Sequence, residues 1–486
     1  MRIKKAEQVT MQNESMKKEN PLGTEPLKPL LRSLAIPAMI ANVINALYNI
    51  VDQIFIGQGV GILGNAATSV SFPLTTLCMA IGLMVGLGSA SGFNLELGRK
   101  REQKARQIAG TAAGILLING LLLCILARLF LAPLLRFFGA TEKILPFALT
   151  YAGITSLGIP FLLFSIGTNP LVRADGSPKY SMASIIIGAV LNTLLDPLFI
   201  FVFDWGIAGA AWATVISQIL SAGLLFLYFR RFQSVHFLPR DFLPRWKETA
   251  EICKLGANSF IFQFSNLLVQ VTLNNVLRTY GEASIYGADT PIAVAGIVIK
   301  INVIFIALII GLINGAQPIC SYNYGAGKYG RVRKTVRLFM TDAILISFIS
   351  WAIFELFPQQ LISLFGKGGD ALYNDYAVRF MRIFLFCTFL TGMQICSSTF
   401  FPSIGKAAKG AIVSFCKQIV FLIPLLILLP KRFGLNGVMY AQPIADLLAF
   451  LLAMALLKDE LKKMPKKDLD EDIRETCTPF PAESPQ

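Results

Sequence analysis

The chain has 486 residues, 54% hydrophobic and 15% charged, with a formal net charge of +15. A mean hydropathy of +0.61 excludes a water-soluble globule, whose composition is normally about a quarter charged. The single histidine, His236, has no partners by spacing, so neither a histidine metal site nor nucleophile–histidine chemistry is expected, and the chain is not read as an enzyme.

The first thirty residues are polar and lack an apolar core followed by a small-residue cleavage site. The first span is therefore expected to act as its own insertion signal, with the N-terminus retained. Apolar runs of about 20 residues, the length that crosses a bilayer, follow at 34–57, 66–92, 107–132, 146–168, 179–203, 206–229, 252–276, 291–318, 335–357, 376–400, 409–430 and 434–457. The fold class expected is all-α and integral to the membrane, with about twelve transmembrane helices. The runs divide the chain into a tail at 1–33, a six-helix bundle at 34–232, a linker at 233–250, a second bundle at 251–457 and a tail at 458–486.

The two bundles share a pattern about 229 positions apart. Gly82, Gly86, Asn94 and Gly98 recur as Gly311, Gly315, Asn323 and Gly327, Gly176 recurs as Gly405, and Gly206-Ile-Ala-Gly209 answers Gly434-Leu-Asn-Gly437. Six spans per half is an even number, so both halves enter from the same side as parallel repeats, an arrangement typical of secondary transporters.

Basic residues crowd the even-numbered connections, with Arg99 to Arg106 on the second and Arg173 and Lys179 on the fourth. Arg230 to Lys247 lie on the sixth, Lys328 to Arg337 on the eighth, and Lys406 and Lys409 on the tenth. By the positive-inside rule these connections and both termini are expected in the cytoplasm. The topology accounts for the positive charge, and no nucleic-acid partner is expected. Eight cysteines, among them Cys477 in the tail, show no CxxC or Cys/His spacing, so no zinc site or disulfide framework is expected.

Ionisable groups inside apolar spans cost about 2.5–3.5 kcal/mol each and need a reason. Asn42, Asn45, Asn49 and Asp52 form one helical stripe in the first span, with Tyr48 a turn before Asp52. Such a stripe lines a cavity, unless Asp52 ends the helix in solvent. Asn192 and Asp196 share a face of the fifth span, and Pro197 loosens that helix and frees carbonyls. Thr214 adds a hydroxyl from the sixth span. Oxygen ligands around two carboxylates suit a held proton or a sodium ion at Asp52, Asn192, Asp196 and Thr214; a purely structural cross-link is the other reading. The second half carries a neutral stripe of Gln263, Asn266, Gln270 and Asn274, while Lys300 and Asp446 are expected to pair structurally. Pro37 is placed to bend the first span. Ser177 and Pro178 read as an N-cap and first helical residue. No G-x-x-x-x-G-K-[ST] loop occurs, so no nucleotide cofactor is expected.

YNIVDQIFIG, RADGSPKYSMASIIIGAVLNTLLDPLFIF and GLINGAQPICSYNYGAGKYGRV resemble segments of the multidrug and toxic compound extrusion (MATE) family, across both six-helix halves. The resemblance implies a V-shaped, bacterial inner-membrane antiporter that exports cationic, amphipathic compounds in exchange for protons or sodium. It assigns coupling to Asp52, Asn192, Asp196 and Thr214 and the bend to Pro37. Tyr48, Tyr151 and Asn169 become cavity residues, joined here by Asn45 and Gln263 from the stripes. Some members place an acidic sodium site in the second half; Gln263 and its neutral neighbours depart from that pattern, so the site is not carried over. Small-molecule substrates and membrane lipids are the expected partners, no cofactor is expected, and a monomer is the default. The rival is a lipid or lipid-linked-glycan flippase of the same superfamily, for which a basic central cavity would be the mark.

Overall fold

The computed structural model describes residues 20–287, 289–364, 371–465 and 468. Most of the two expected tails, including Cys477, lies outside the described residues.

The first half contains α1 (Leu27–Gly59), α2 (Ile62–Gly98), α3 (Glu102–Leu129), α4 (Leu145–Ala174), α5 (Pro178–Pro197) and α6 (Gly206–Tyr228). The second contains α7 (Trp246–Glu282), α8 (Asp289–Gly325), α9 (Tyr329–Leu356), the two-part α10 (Ala371–Phe384 and Thr388–Ser403), α11 (Ala407–Phe433) and α12 (Leu435–Lys463). Among the described residues, eleven helices are long and apolar enough to span a bilayer, and the two parts of α10 meet at 46°, making a twelfth, broken span. Side chains such as Leu121, Leu122, Ile125 and Phe226 stand exposed around the belt, as lipid contact requires. Helix α1 begins inside the stretch assigned to the first tail and runs unbroken through Pro37; α12 continues into the stretch assigned to the second.

The repeat is visible in the backbone. Gly176 and Gly405 take φ of +85° and +81° in matching connections, and Gly206 and Gly434 take +51° and +58° where α6 and α12 begin. Residues with a Cβ rarely adopt this region. Ser177 stands at the N-cap of α5, but its hydroxyl makes no capping bond. It accepts instead from Gln233 Nε2 at 3.1 Å. The linker after α6 is folded onto the first half: Asp175 accepts from Tyr228 Oη at 2.8 Å and from the backbone N–H groups of Gln233 and Ser234 at 2.8 and 2.9 Å. Buried Asp241 pairs with Arg106 at 2.9 Å.

The halves meet through α2 against α7 and α8, and α1 against α8. Glycines permit backbone-to-backbone approach along these crossings. A Cβ on Gly256 would sit 1.8 Å from Met84 O, one on Gly315 2.4 Å from Ala35 Cα, and one on Gly325 2.2 Å from Leu95 O. Gln317 Nε2 donates to Ser91 Oγ at 2.6 Å, and Lys104 of α3 pairs with Glu251 of α7 at 2.9 Å. These contacts lie toward the face that carries the basic connections. Both described ends reach the same face: Leu22 O accepts from Asn323 Nδ2 at 2.8 Å, and Met464 O accepts from Arg333 Nη2 at 3.1 Å.

Candidate functional site

Helices α1, α2, α4 to α8, α10 and α11 surround a cavity of about 350 Å³, within the range that suits small organic ligands. The expected cavity residues Asn45, Tyr48, Asn169 and Gln263 line it, as do Asn192 and Thr214. Tyr151 does not. It stands behind the wall, beside Asp52, Asp196 and Tyr48, with the Thr214 hydroxyl in hydrogen-bonding reach. Met79 and Phe262 contribute to the lining, but leucines, isoleucines and amides make up more of it.

The acids come together next to this cavity. Asp52 on α1 and Asp196 on α5 lie within hydrogen-bonding reach of one another. Asn192 Nδ2 donates to Asp196 Oδ1 at 3.4 Å, and both residues are buried. Asp52 is half-buried. Two facing carboxylates offer no proton to share. Accordingly Asp52 Oδ1, Asp196 Oδ2 and Asn192 Oδ1 are buried without any donor. A buried oxygen left unpaired costs about 1–3 kcal/mol, more when charged, so this cluster suits a bound proton or a hard cation that takes oxygen ligands. Immediately after Asp196, Pro197 ends the α-helix and Leu198–Val202 continue as a wider π turn. The expected loosening is present, and the Gly59 end of α1 packs directly on it.

The first-span stripe is divided in the structure. Asn42 and Asn45 reach the cavity, Asp52 reaches the acid cluster, and Asn49 is exposed, its Nδ2 donating to Asn45 O at 2.6 Å. In the second half Gln263 faces the cavity, while Asn266 Oδ1 accepts from Gln418 Nε2 at 2.8 Å.

Asp446 does not pair with Lys300. Lys300 is exposed and makes no ion pair among the described residues. Lys417 of α11 instead pairs with Asp446 Oδ1 at 2.9 Å, and the two are 5% and 4% exposed. Gln394 Oε1 accepts from Lys417 at 3.1 Å, and Gln442 Nε2 donates to both Asp446 oxygens at 3.2 Å. A lysine inside the apolar run 409–430 carries the same signal as Lys300, and it marks the true partner. Also unanticipated are Asn258, Asn314 and Arg173 on the cavity wall. Amides in the apolar runs of α7 and α8 could have flagged the first two. Arg173 reads from the sequence as a loop cation, because it lies beside the fourth connection.

A family model described as MatE matches residues 37–198 and again residues 262–428. The chain belongs to the MatE family. It is therefore a multi-pass membrane transporter, not an enzyme, and the two matches repeat the division into halves. Among its relatives, the multidrug export protein MepA of Staphylococcus saprophyticus is 26% identical over 435 residues, 88% of this chain and 93% of that protein. MepA of Staphylococcus aureus is 26% identical over 443 residues, 90% of this chain and 95% of that protein. Solved MatE structures share the fold. An outward-facing multidrug resistance MATE transporter aligns with TM-score 0.86 and 24% identity over 93% of this chain and 99% of its own. A MOP superfamily transporter from Pyrococcus furiosus, described as having a binding pocket of reversed polarity, aligns with TM-score 0.84 and 24% identity over 92% and 100%.

Proposed function

We propose that this MatE protein exports cationic, amphipathic compounds from a bacterial cytoplasm by alternating access, in exchange for protons or sodium ions. One observation carries the reading. Three buried oxygens without donors, on Asp52, Asn192 and Asp196, adjoin a ligand-sized cavity and share Asn192 and its neighbour Thr214 with its wall. An ion taken up at the acids neutralises charge next to the cavity and weakens its hold on a cationic ligand, which couples ion entry to substrate release. Export of multiple drugs by the MepA relatives supports the substrate class.

In this reading the basic face is cytoplasmic, and the contacts that close it leave the cavity serving the opposite side. The membrane potential supplies about 2.3 kcal/mol per charge per 100 mV, and each pH unit of gradient adds about 1.4 kcal/mol per proton. The flippase reading keeps one observation: among the described residues, the only charged side chain on the cavity wall is Arg173. The paired acids beside this cavity favour a ligand that carries a cationic group.

The test is uptake of a fluorescent lipophilic cation into proteoliposomes under an imposed proton gradient and, separately, a sodium gradient. Export that follows one gradient, and is lost in Asp196→Asn at matched reconstitution, is expected. Equal rates with and without both gradients would contradict the proposal.

A further inference from the structure

Arg173 is a buried charge that the exporter reading leaves unused. It lies at the last turn of α4, is 8% exposed, and lines the cavity. No carboxylate lies within 4.0 Å of its guanidinium among the described residues. Asp175, two positions on, is taken up by Tyr228 and by the backbone of Gln233 and Ser234. A buried guanidinium without a counter-ion is costly, and in native proteins it is paired or it binds something.

Its placement is fixed on one side only. Arg173 Nη1 donates to Ser181 Oγ at 3.1 Å, and Ser181 Oγ in turn donates to Asn169 Oδ1 at 2.7 Å. Asn169 Nδ2 donates to Ser165 O at 2.9 Å. This chain of bonds from α4 to α5 holds the fork steady. A guanidinium has five donors, and none of the Arg173 nitrogens is among the buried atoms lacking a partner. The donors that Ser181 leaves free therefore reach accessible surface, on a residue that lines the cavity.

We propose that Arg173 is an anion subsite of the transport cavity, taking the carboxylate of a zwitterionic amphipathic substrate. This rests on the exporter reading and narrows its substrate class. A planar fork matches a carboxylate through two parallel hydrogen bonds. Ser181 and Asn192 both lie on α5, separated by about 17 Å of helical rise. The guanidinium and the acid cluster thus occupy opposite ends of an amide-lined cavity. A zwitterion enters with its carboxylate toward the basic face and its cationic group toward Asn192 and Thr214, and the field of the site sets that orientation.

The test is equilibrium binding, by fluorescence anisotropy, of a rhodamine bearing a free carboxylate and of its methyl ester to the purified full chain. The ratio of ester Kd to acid Kd is the readout. It is expected to exceed about tenfold in the wild type, ~1.4 kcal/mol, to collapse toward unity in Arg173→Gln, and to be partly retained in Arg173→Lys. Equal binding of acid and ester by the wild type would overturn the subsite. So would parallel weakening of both dyes in Arg173→Gln, the mark of a structural role. Should Arg173→Gln fail to fold, excess benzoate on the wild type decides: displacement of the acid dye with the ester spared supports the subsite, and any other pattern overturns it. Binding needs no ion gradient, so failure of gradient-driven export with the dye preference intact would count against the exporter reading alone.

Discussion

Asp52 and Asp196 owe their placement to two different helices, and each keeps a buried oxygen, Asp52 Oδ1 and Asp196 Oδ2, that no donor reaches. Replacing either by Asn supplies a donor and removes a charge, so the cluster should fold well and stop coupling. Asp52→Asn and Asp196→Asn are each expected to lower gradient-driven export at least tenfold, with thermal stability unchanged or raised. Gradient-driven export at wild-type rates by both variants would remove the coupling site from the account. Lys417 and Asp446 behave differently, because each is the other's counter-ion in a buried site. Breaking such a pair from one side costs about 3–5 kcal/mol, whereas an apolar replacement of both is often neutral. Lys417→Met and Asp446→Leu should each lower the thermal midpoint in detergent, and the double variant should recover most of the loss. Additive losses would show that the two side chains are not energetically coupled.

The elements most readable from sequence were those whose signal is local. The twelve apolar runs became eleven continuous spans and one broken span among the described residues, and the α5 pattern of Asn192, Asp196 and Pro197 produced a buried pair followed by a π turn. Helix ends were less legible, because α1, α7 and α12 extend beyond the hydrocarbon thickness into polar stretches that apolar counting assigns to tails and linker. Cross-helix partners were not legible at all. Lys417 and Asp446 lie on α11 and α12, and only packing decides that Lys417 rather than Lys300 reaches the acid. The orientation of Arg173 into the cavity has the same origin. At this scale the glycine crossings make a prediction. Gly256→Val would drive a side chain into the Met84 carbonyl, and overpacking of this kind costs about 1–3 kcal/mol. The strain falls on the arrangement in which α2 and α7 touch, so the basic face should open. A cysteine placed at buried Ser91 should then react faster with a membrane-impermeant thiol reagent, and an unchanged rate would show that the crossing tolerates the bulk.

Across the whole molecule, the two halves are joined at the basic face by backbone contact, by Gln317 on Ser91, and by the Lys104–Glu251 pair. Alternating access requires these contacts to part. The ion pair is about one-third exposed on each side, where such pairs contribute about 0.2–1 kcal/mol, enough to bias a balanced equilibrium several-fold. Lys104 also holds buried Glu96 at 3.3 Å, so neutral replacements are the cleaner probe. Lys104→Gln and Glu251→Gln should each increase opening of the basic face, and the double variant should open it no further than Lys104→Gln alone, read by the same thiol-reactivity assay. Additive opening in the double would assign the effect to something other than this pair. The parallel repeat makes such a rocking motion geometrically natural, since equivalent helices of the two halves face one another across the cavity.

The central claim is that ion and substrate compete through a shared wall, and the most direct measurement is the affinity of a lipophilic cation at equilibrium across pH and sodium concentration. The account predicts that Kd rises at least several-fold as pH falls or as sodium increases, whichever ion couples, and that Asp196→Asn removes the dependence. Affinity independent of both pH and sodium in the wild type would contradict it.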